Sequence, residues 1–193
     1  MAFAITSRKR TFDAVAPSIP MPVDKTNVTA IARRAVNGDT NALADLLGEL
    51  APFVVRTTRL IVGAGTAAAE DAAQEALIDV ARRIATLRDP EAVVSWAAQI
   101  ATRRALRAAR SERLRRQSDV EVQAVQSPER VNDHRAALSA AFDRLPRRQR
   151  AIAVLRLYAG FSERETADVL GITLGAVKSQ LHQARSTLSA ALP

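Results

Sequence analysis

Apolar residues recur at three- and four-residue spacing along most of the chain, and polar, proline-rich or glycine-bearing stretches interrupt them. That period is the signature of amphipathic helices, and no run alternates as a half-buried strand would. Residues 1–26 carry Pro17, Pro20 and Pro22 without a helical period, which predicts a flexible tail. Residues 27–112 read as one helical domain. Its first helix spans Val28 to Val36 and ends at Asn37-Gly38. A second starts near Asp39 or Thr40 with Leu43, Leu46, Leu47 and Leu50 on one side. Pro52 lacks an amide hydrogen and is expected to kink or break that helix, with Phe53 to Val62 continuing the apolar face. Thr66 can cap a helix from Ala67 to Leu87, striped by Ala73, Leu77, Val80, Ala81, Ile84 and Leu87. After Arg88-Asp89-Pro90, a helix from Glu91 to about Arg110 turns Val93, Trp96, Ala97, Ile100, Ala101 and Leu106 inward. Residues 113–133 are polar with weak periodicity and read as a linker. A second domain, residues 134–193, opens with a helix carrying Leu138, Ala141, Phe142 and Leu145. Pro146 starts the next helix, which ends at Gly160. The expected fold is all-α: two small helical domains joined by a flexible linker, the C-terminal one containing a helix-turn-helix.

That helix-turn-helix lies in Ser162 to Leu188. A short helix reaches Leu170, Gly171 supplies the turn, and Thr173 caps a second helix from Leu174 to about Ala190. Ala167, Gly171 and Val177 provide close approach, turn and anchor. Leu170, Ile172, Leu181, Ala184 and Leu188 complete the buried side. The other face carries Lys178, Ser179, His182, Gln183 and Arg185, with no acid after Asp168. Such a surface suits a DNA major groove.

Charge strengthens this reading. The chain has 193 residues, a formal net charge of +8 and a pI of about 11.2, which favours a polyanionic partner. Seven arginines stand against one acid, Glu112, between Arg103 and Arg116. By composition this is a solvated face; its place after a Trp-bearing helix raises the nucleic-acid reading. Arg8-Lys9-Arg10 is a further basic patch. Arg147, Arg148 and Arg150, near a helix start, are candidates for backbone contact. With no cysteine, thiolate metal sites and cysteine nucleophiles are excluded, and His134 and His182 lie in separate segments. No cofactor, metal or catalytic constellation is expected, so the chain does not read as an enzyme. It lacks a membrane-spanning run and the apolar core of a signal peptide, which predicts a cytoplasmic protein without membrane insertion.

Two stretches point to one family. LPRRQRAIAVLRLYAGFSERETADVLGITLGAVKSQLHQARSTL resembles region 4 of bacterial sigma factors. AEDAAQEALIDVARRI followed by SWAAQIATRRALRAAR resembles region 2. The two-domain layout resembles the extracytoplasmic-function (ECF) subfamily. The resemblance implies a protein that binds core RNA polymerase and promoter DNA, with an anti-sigma factor as a further partner it allows. Asp71, Gln74, Glu75 and Asp79 would dock on the polymerase. Trp96, Arg103, Arg104, Arg107 and Arg110 would meet the −10 region, although core packing is the favoured role of Trp96. The loop from Arg88 to Glu91 would capture an unstacked base. Thr173, Lys178, Ser179, Gln180, His182, Gln183 and Arg185 would read the −35 element. The chain departs from the family pattern at Arg103 and Arg107, in the absence of aromatics on the docking helix, and at Gln180 and Gln183, where arginine is common. Two alternatives remain: a LuxR-like DNA-binding regulator, which would need a strand-bearing receiver, and a sigma-like interaction protein without melting activity.

Overall fold

A computed structural model describes residues 23–63, 65–118 and 140–191. The N-terminal basic patch, residues 119–133 of the expected linker and residues 134–139 of the helix placed after it lie outside the described residues. Within them no strand occurs, in keeping with the all-α expectation.

Four helices form the first unit: α1 (Lys25–Val36), α2 (Thr40–Val62), α3 (Ala67–Arg83) and α4 (Val93–Ser118). Side-chain caps fix three of their starts. Asp24 Oδ1 accepts from the amides of Thr26 and Asn27 at 3.0 and 3.3 Å, so α1 begins three residues before the position expected from periodicity. Asp39 caps α2 through Ala42 N, and Thr66 Oγ1 accepts from Ala69 N at 3.2 Å to cap α3. The break expected at Pro52 does not occur: α2 is continuous through it. Pro52 and Gly48, the residue whose carbonyl loses its partner, both face solvent, where water can satisfy that carbonyl. The third helix ends earlier than expected and tightens into a 3-10 turn, Ile84–Thr86; a second 3-10 turn, Pro90–Ala92, leads into α4. That last helix runs to Ser118, so the first residues assigned to the linker are helical.

Leu46, Leu50, Phe53 and Val54 of α2, Val80 of α3 and Val93 and Ala97 of α4 are fully buried in this unit's core. Each large apolar side chain there stabilises by roughly 1.5–3 kcal/mol relative to exposure. Arg59 Nε to Glu70 Oε1 at 2.7 Å ties α2 to α3 at the surface.

The second unit comprises a helical turn at residues 140–143, α5 (Arg147–Ala153), α6 (Glu163–Leu170) and α7 (Leu174–Ala191). A π-helical stretch, Val154–Tyr158, follows α5 where an ordinary helix was expected. Widening the turn aims two successive residues at different cores: Val154 packs with the second unit and Leu155 with the first.

The two units share a seam rather than keeping separate cores. Leu155, Ala159, Phe161 and Val169 join the core of the first unit, while Ile61 and Ala105 join that of the second. The Arg56 guanidinium lies 5.2 Å from the centre of the Tyr158 ring. Gln99 Nε2 reaches Asp168 O at 3.5 Å. A small domain buries little interior and is marginally stable on its own, and borrowing apolar surface from a neighbour offsets this.

Candidate nucleic-acid interface

The helix-turn-helix forms as its residues predict. Ser162 and Glu165 make a reciprocal capping box, Ser162 N donating to Glu165 Oε2 at 2.7 Å and Glu165 N to Ser162 Oγ at 3.1 Å. Gly171 takes a left-handed conformation, φ 64°, and its amide closes the last turn of α6. Thr173 Oγ1 accepts from Ala176 N at 3.2 Å, capping α7. Ile152, Ala167, Val177 and Leu181 make a small core under the motif, with Leu170 and Ile172 at its edge. Ala184 and Leu188, further along α7, are buried in the second unit's core.

This packing leaves Thr173, Lys178, Ser179, His182 and Gln183 exposed on one side of α7, with Gln180 and Arg185 half-buried beside them. Lys178 Nζ stands 3.9 Å from Glu163 Oε2, a loose pair. Gln183 Oε1 accepts from Gln149 Nε2 at 2.9 Å, which ties the reading face to α5. Leu174 is 42% exposed although it sits in register with Val177 and Leu181. The helical period alone places it inside; the first turn of α7 extends past the surface that covers the rest of the stripe.

Arg147, Arg148 and Arg150 separate. Arg148 is exposed and Arg147 half-buried, but Arg150 is 8% exposed and unavailable to a phosphate. Its guanidinium donates to Asp143 O at 2.7 Å, Leu145 O at 3.5 Å and Ile61 O at 3.4 Å, and pairs with Asp143 Oδ1 at 3.0 Å. Burial lowers its pKa and Asp143 opposes the shift. It clamps the second unit onto the C-terminal end of α2, whose carbonyls carry the negative end of the helix dipole.

On the first unit, Asp71, Gln74 and Glu75 are exposed along α3, and Asp79 is half-buried. Ile78, an apolar residue off the buried stripe, stands 47% exposed among them. Arg103, Arg107 and Arg110 are exposed on α4. Arg104 is not: it turns onto α3, pairing with Asp79 at 2.6 Å and Glu75 at 2.8 Å. The hydrogen bond it donates to Asp79 raises its pKa, against desolvation. The structure therefore brings together residues expected at two different interfaces. Trp96 is half-buried against the core, consistent with packing as its main role. It also lines a groove of about 90 Å³ with Asp79, Arg83, Arg103 and Arg107. Arg88 and Asp89 in the loop before α4 are exposed, and Glu91 pairs with Arg33 of α1 at 2.7 Å. Among the described residues no group of acids and histidines forms a metal site, and no helix is long and apolar enough to cross a membrane.

Residues 46–115 match the Sigma-70 region 2 family and residues 135–188 match Sigma-70, region 4. The ECF RNA polymerase sigma factor SigD of Mycobacterium tuberculosis (strain ATCC 25618 / H37Rv) is 30% identical over 186 residues, covering 90% of this chain and 87% of that protein. ShbA of Streptomyces griseus, likewise an ECF RNA polymerase sigma factor, is 33% identical over 187 residues, covering 86% and 96%. Two solved structures share the fold. CnrH in complex with the cytosolic domain of CnrY has a TM-score of 0.64 at 21% identity, covering 86% of this chain and 96% of CnrH. RpoE in complex with the anti-sigma factor NepR, from Bartonella quintana, has a TM-score of 0.63 at 20% identity, covering 76% and 96%. The region 2 match occupies the segment where a LuxR-like regulator would need its strand-bearing receiver. The chain belongs to the ECF RNA polymerase sigma factors, non-catalytic initiation factors that bind core polymerase and direct it to promoters.

Proposed function

We propose that three helix faces divide the work of initiation. The exposed side of α3, with Asp71, Gln74, Glu75 and Asp79, docks on core polymerase, and Ile78 supplies an apolar anchor among these polar groups. Arg103, Arg107 and Arg110 of α4 hold phosphates at the −10 region, beside the groove edged by Trp96. The outer face of α7 reads the −35 element. Lys178, only loosely paired with Glu163, can approach phosphate or guanine, Gln183 can pair with adenine after releasing Gln149, and Leu174 can meet a thymine methyl. The observation that carries this reading is the segregation of charge: acids outward on α3, and an acid-free exposed face on α7.

Residues 27–112 serve as region 2, with Val23 to Thr26 folded into its start, and residues 134–193 serve as region 4. The site of action is the cytoplasm, with polymerase. The solved RpoE is bound to the anti-sigma factor NepR, and a partner of that class is proposed for this chain as well. Run-off transcription with purified core polymerase and genomic fragments tests the assignment. Discrete starts are expected with core present, and none without this protein. Lys178→Ala and Gln183→Ala should each weaken −35 discrimination by about 1–3 kcal/mol. If both retain full discrimination, the reading face lies elsewhere. A protein that binds core yet starts transcription only on pre-melted templates would be an interaction protein without melting activity.

A further inference from the structure

Arg104 stands apart from its neighbours on α4. While Arg103, Arg107 and Arg110 point to solvent, its guanidinium crosses onto α3. Nε and Nη2 both reach Asp79 Oδ2, at 2.7 and 2.6 Å, and Nη1 donates to Glu75 Oε2 at 2.8 Å. Three nitrogens thus serve two carboxylates of one face. The side chains of Arg104 and Asp79 are only 28% and 21% exposed, whereas Glu75 is 58% exposed and still has a free edge. A planar fork of this kind fixes carboxylate orientation as a point charge cannot.

We propose that Arg104 is a positioning residue for polymerase docking, holding Glu75 and Asp79 in the orientation they present to the polymerase, and that it makes no phosphate contact. This rests on the docking reading of α3 given above. A carboxylate already ordered in the free protein loses less rotamer freedom on binding. Removing the guanidinium makes the face one charge more negative. Encounter with a basic partner surface is then not slowed, but the complex formed is held less well, so the effect falls on dissociation.

The test measures association and dissociation of the full chain with purified core polymerase, together with the salt dependence of promoter binding by the holoenzyme. Arg104→Ala should raise the dissociation rate roughly three- to fivefold without lowering the association rate. Arg104→Lys, which can serve only one carboxylate at a time, should fall between. The salt slope of promoter binding should be unchanged in Arg104→Ala, whereas Arg107→Ala, the phosphate-contact reference, lowers it by about one. An unchanged dissociation rate in Arg104→Ala overturns the proposal, as does a salt slope that falls as in Arg107→Ala. Should Arg104→Ala merely reduce the active fraction, Arg104→Lys decides, and a wild-type dissociation rate there overturns it. Charge reversal at Asp71, which Arg104 does not touch, tests the docking face separately. Unchanged core binding in Asp71→Lys removes that face altogether; weakened binding there beside unaltered Arg104 variants removes only the role of Arg104.

Discussion

The acid-bearing face of α3 and the reading face of α7 are held in opposite ways. On α3, Glu75 and Asp79 are pinned by Arg104 at 2.6–2.8 Å, and Glu70 by Arg59 at 2.7 Å. On α7, Lys178 lies 3.9 Å from its nearest acid, and Ser179 and His182 are exposed. What lies beneath is shared in both cases. The core under α3 takes in Leu155, Ala159, Phe161 and Val169 of the second unit, and the smaller core under α7 takes in Ile61 and Ala105 of the first. A face that meets one invariant protein gains from being ordered in advance. A face that meets DNA keeps adaptable side chains and takes its placement from the scaffold below. For α7 that scaffold includes the seam, so the strongest way to break the contrast is to break the seam.

Phe161→Ala should have the largest effect. Phe161 is 2% exposed and carries an aromatic ring from the second unit into the core of the first. Its truncation should cost about 3–4 kcal/mol. Urea unfolding followed by Trp96 fluorescence and by far-ultraviolet circular dichroism should show both midpoints falling together. If the dichroism shifts while the Trp96 transition stays in place, the units unfold separately and α7 does not depend on the seam. Arg150→Met comes next, at about 2 kcal/mol, because it strips the donor from the carbonyls of Ile61, Asp143 and Leu145. An unaltered urea midpoint would mean that water replaces the clamp at no cost. Gly171→Ala should cost about 1 kcal/mol through its left-handed backbone alone, since the space around it is open. Promoter binding by the Gly171→Ala holoenzyme should weaken at the −35 element and not at the −10. Equal loss at both would place the damage in the whole fold.

The α7 side of this contrast was legible in residue order, and the pinning of α3 was not, for identifiable reasons. The helix-turn-helix depends on neighbours: Ser162 with Glu165, Gly171 at the turn, Thr173 at the cap. Local chemistry of this kind survives whatever surrounds it. The path of α2 through Pro52 was not legible, because it depends on which way the proline faces after packing. Arg104 and Arg150 read as members of basic clusters because composition cannot tell a guanidinium in solvent from one folded onto a partner 25 or 89 positions away. Ile78 and Leu174 show the same limit for apolar residues. Ile78 breaks the stripe of α3, a signal present in the sequence, while Leu174 keeps the stripe of α7 and is exposed only because its covering surface ends.

The smallest expected effect tests whether charge matters where the reading motif begins. The Glu165 carboxyl is held below the usual glutamate range by its hydrogen bonds to the Ser162 side chain and backbone, helped by the charges of Lys25 and Arg156 and opposed by partial burial. A carboxylate whose pKa is lowered by folding adds stability that is complete above its unfolded value, near 4.3, and is lost as pH falls through the folded value. Glu165→Gln keeps an acceptor for Ser162 N but removes the charge. At pH 7 the variant should melt a little below the wild type, by a few tenths of a kcal/mol up to about 1. The two melting temperatures should converge as pH falls below about 4, since the wild-type carboxyl then becomes neutral as well. A gap that persists unchanged into acid would assign the contribution of Glu165 to the shape of the capping box alone. A closing gap would assign it to the carboxylate charge, held chiefly by the Ser162 hydrogen bonds.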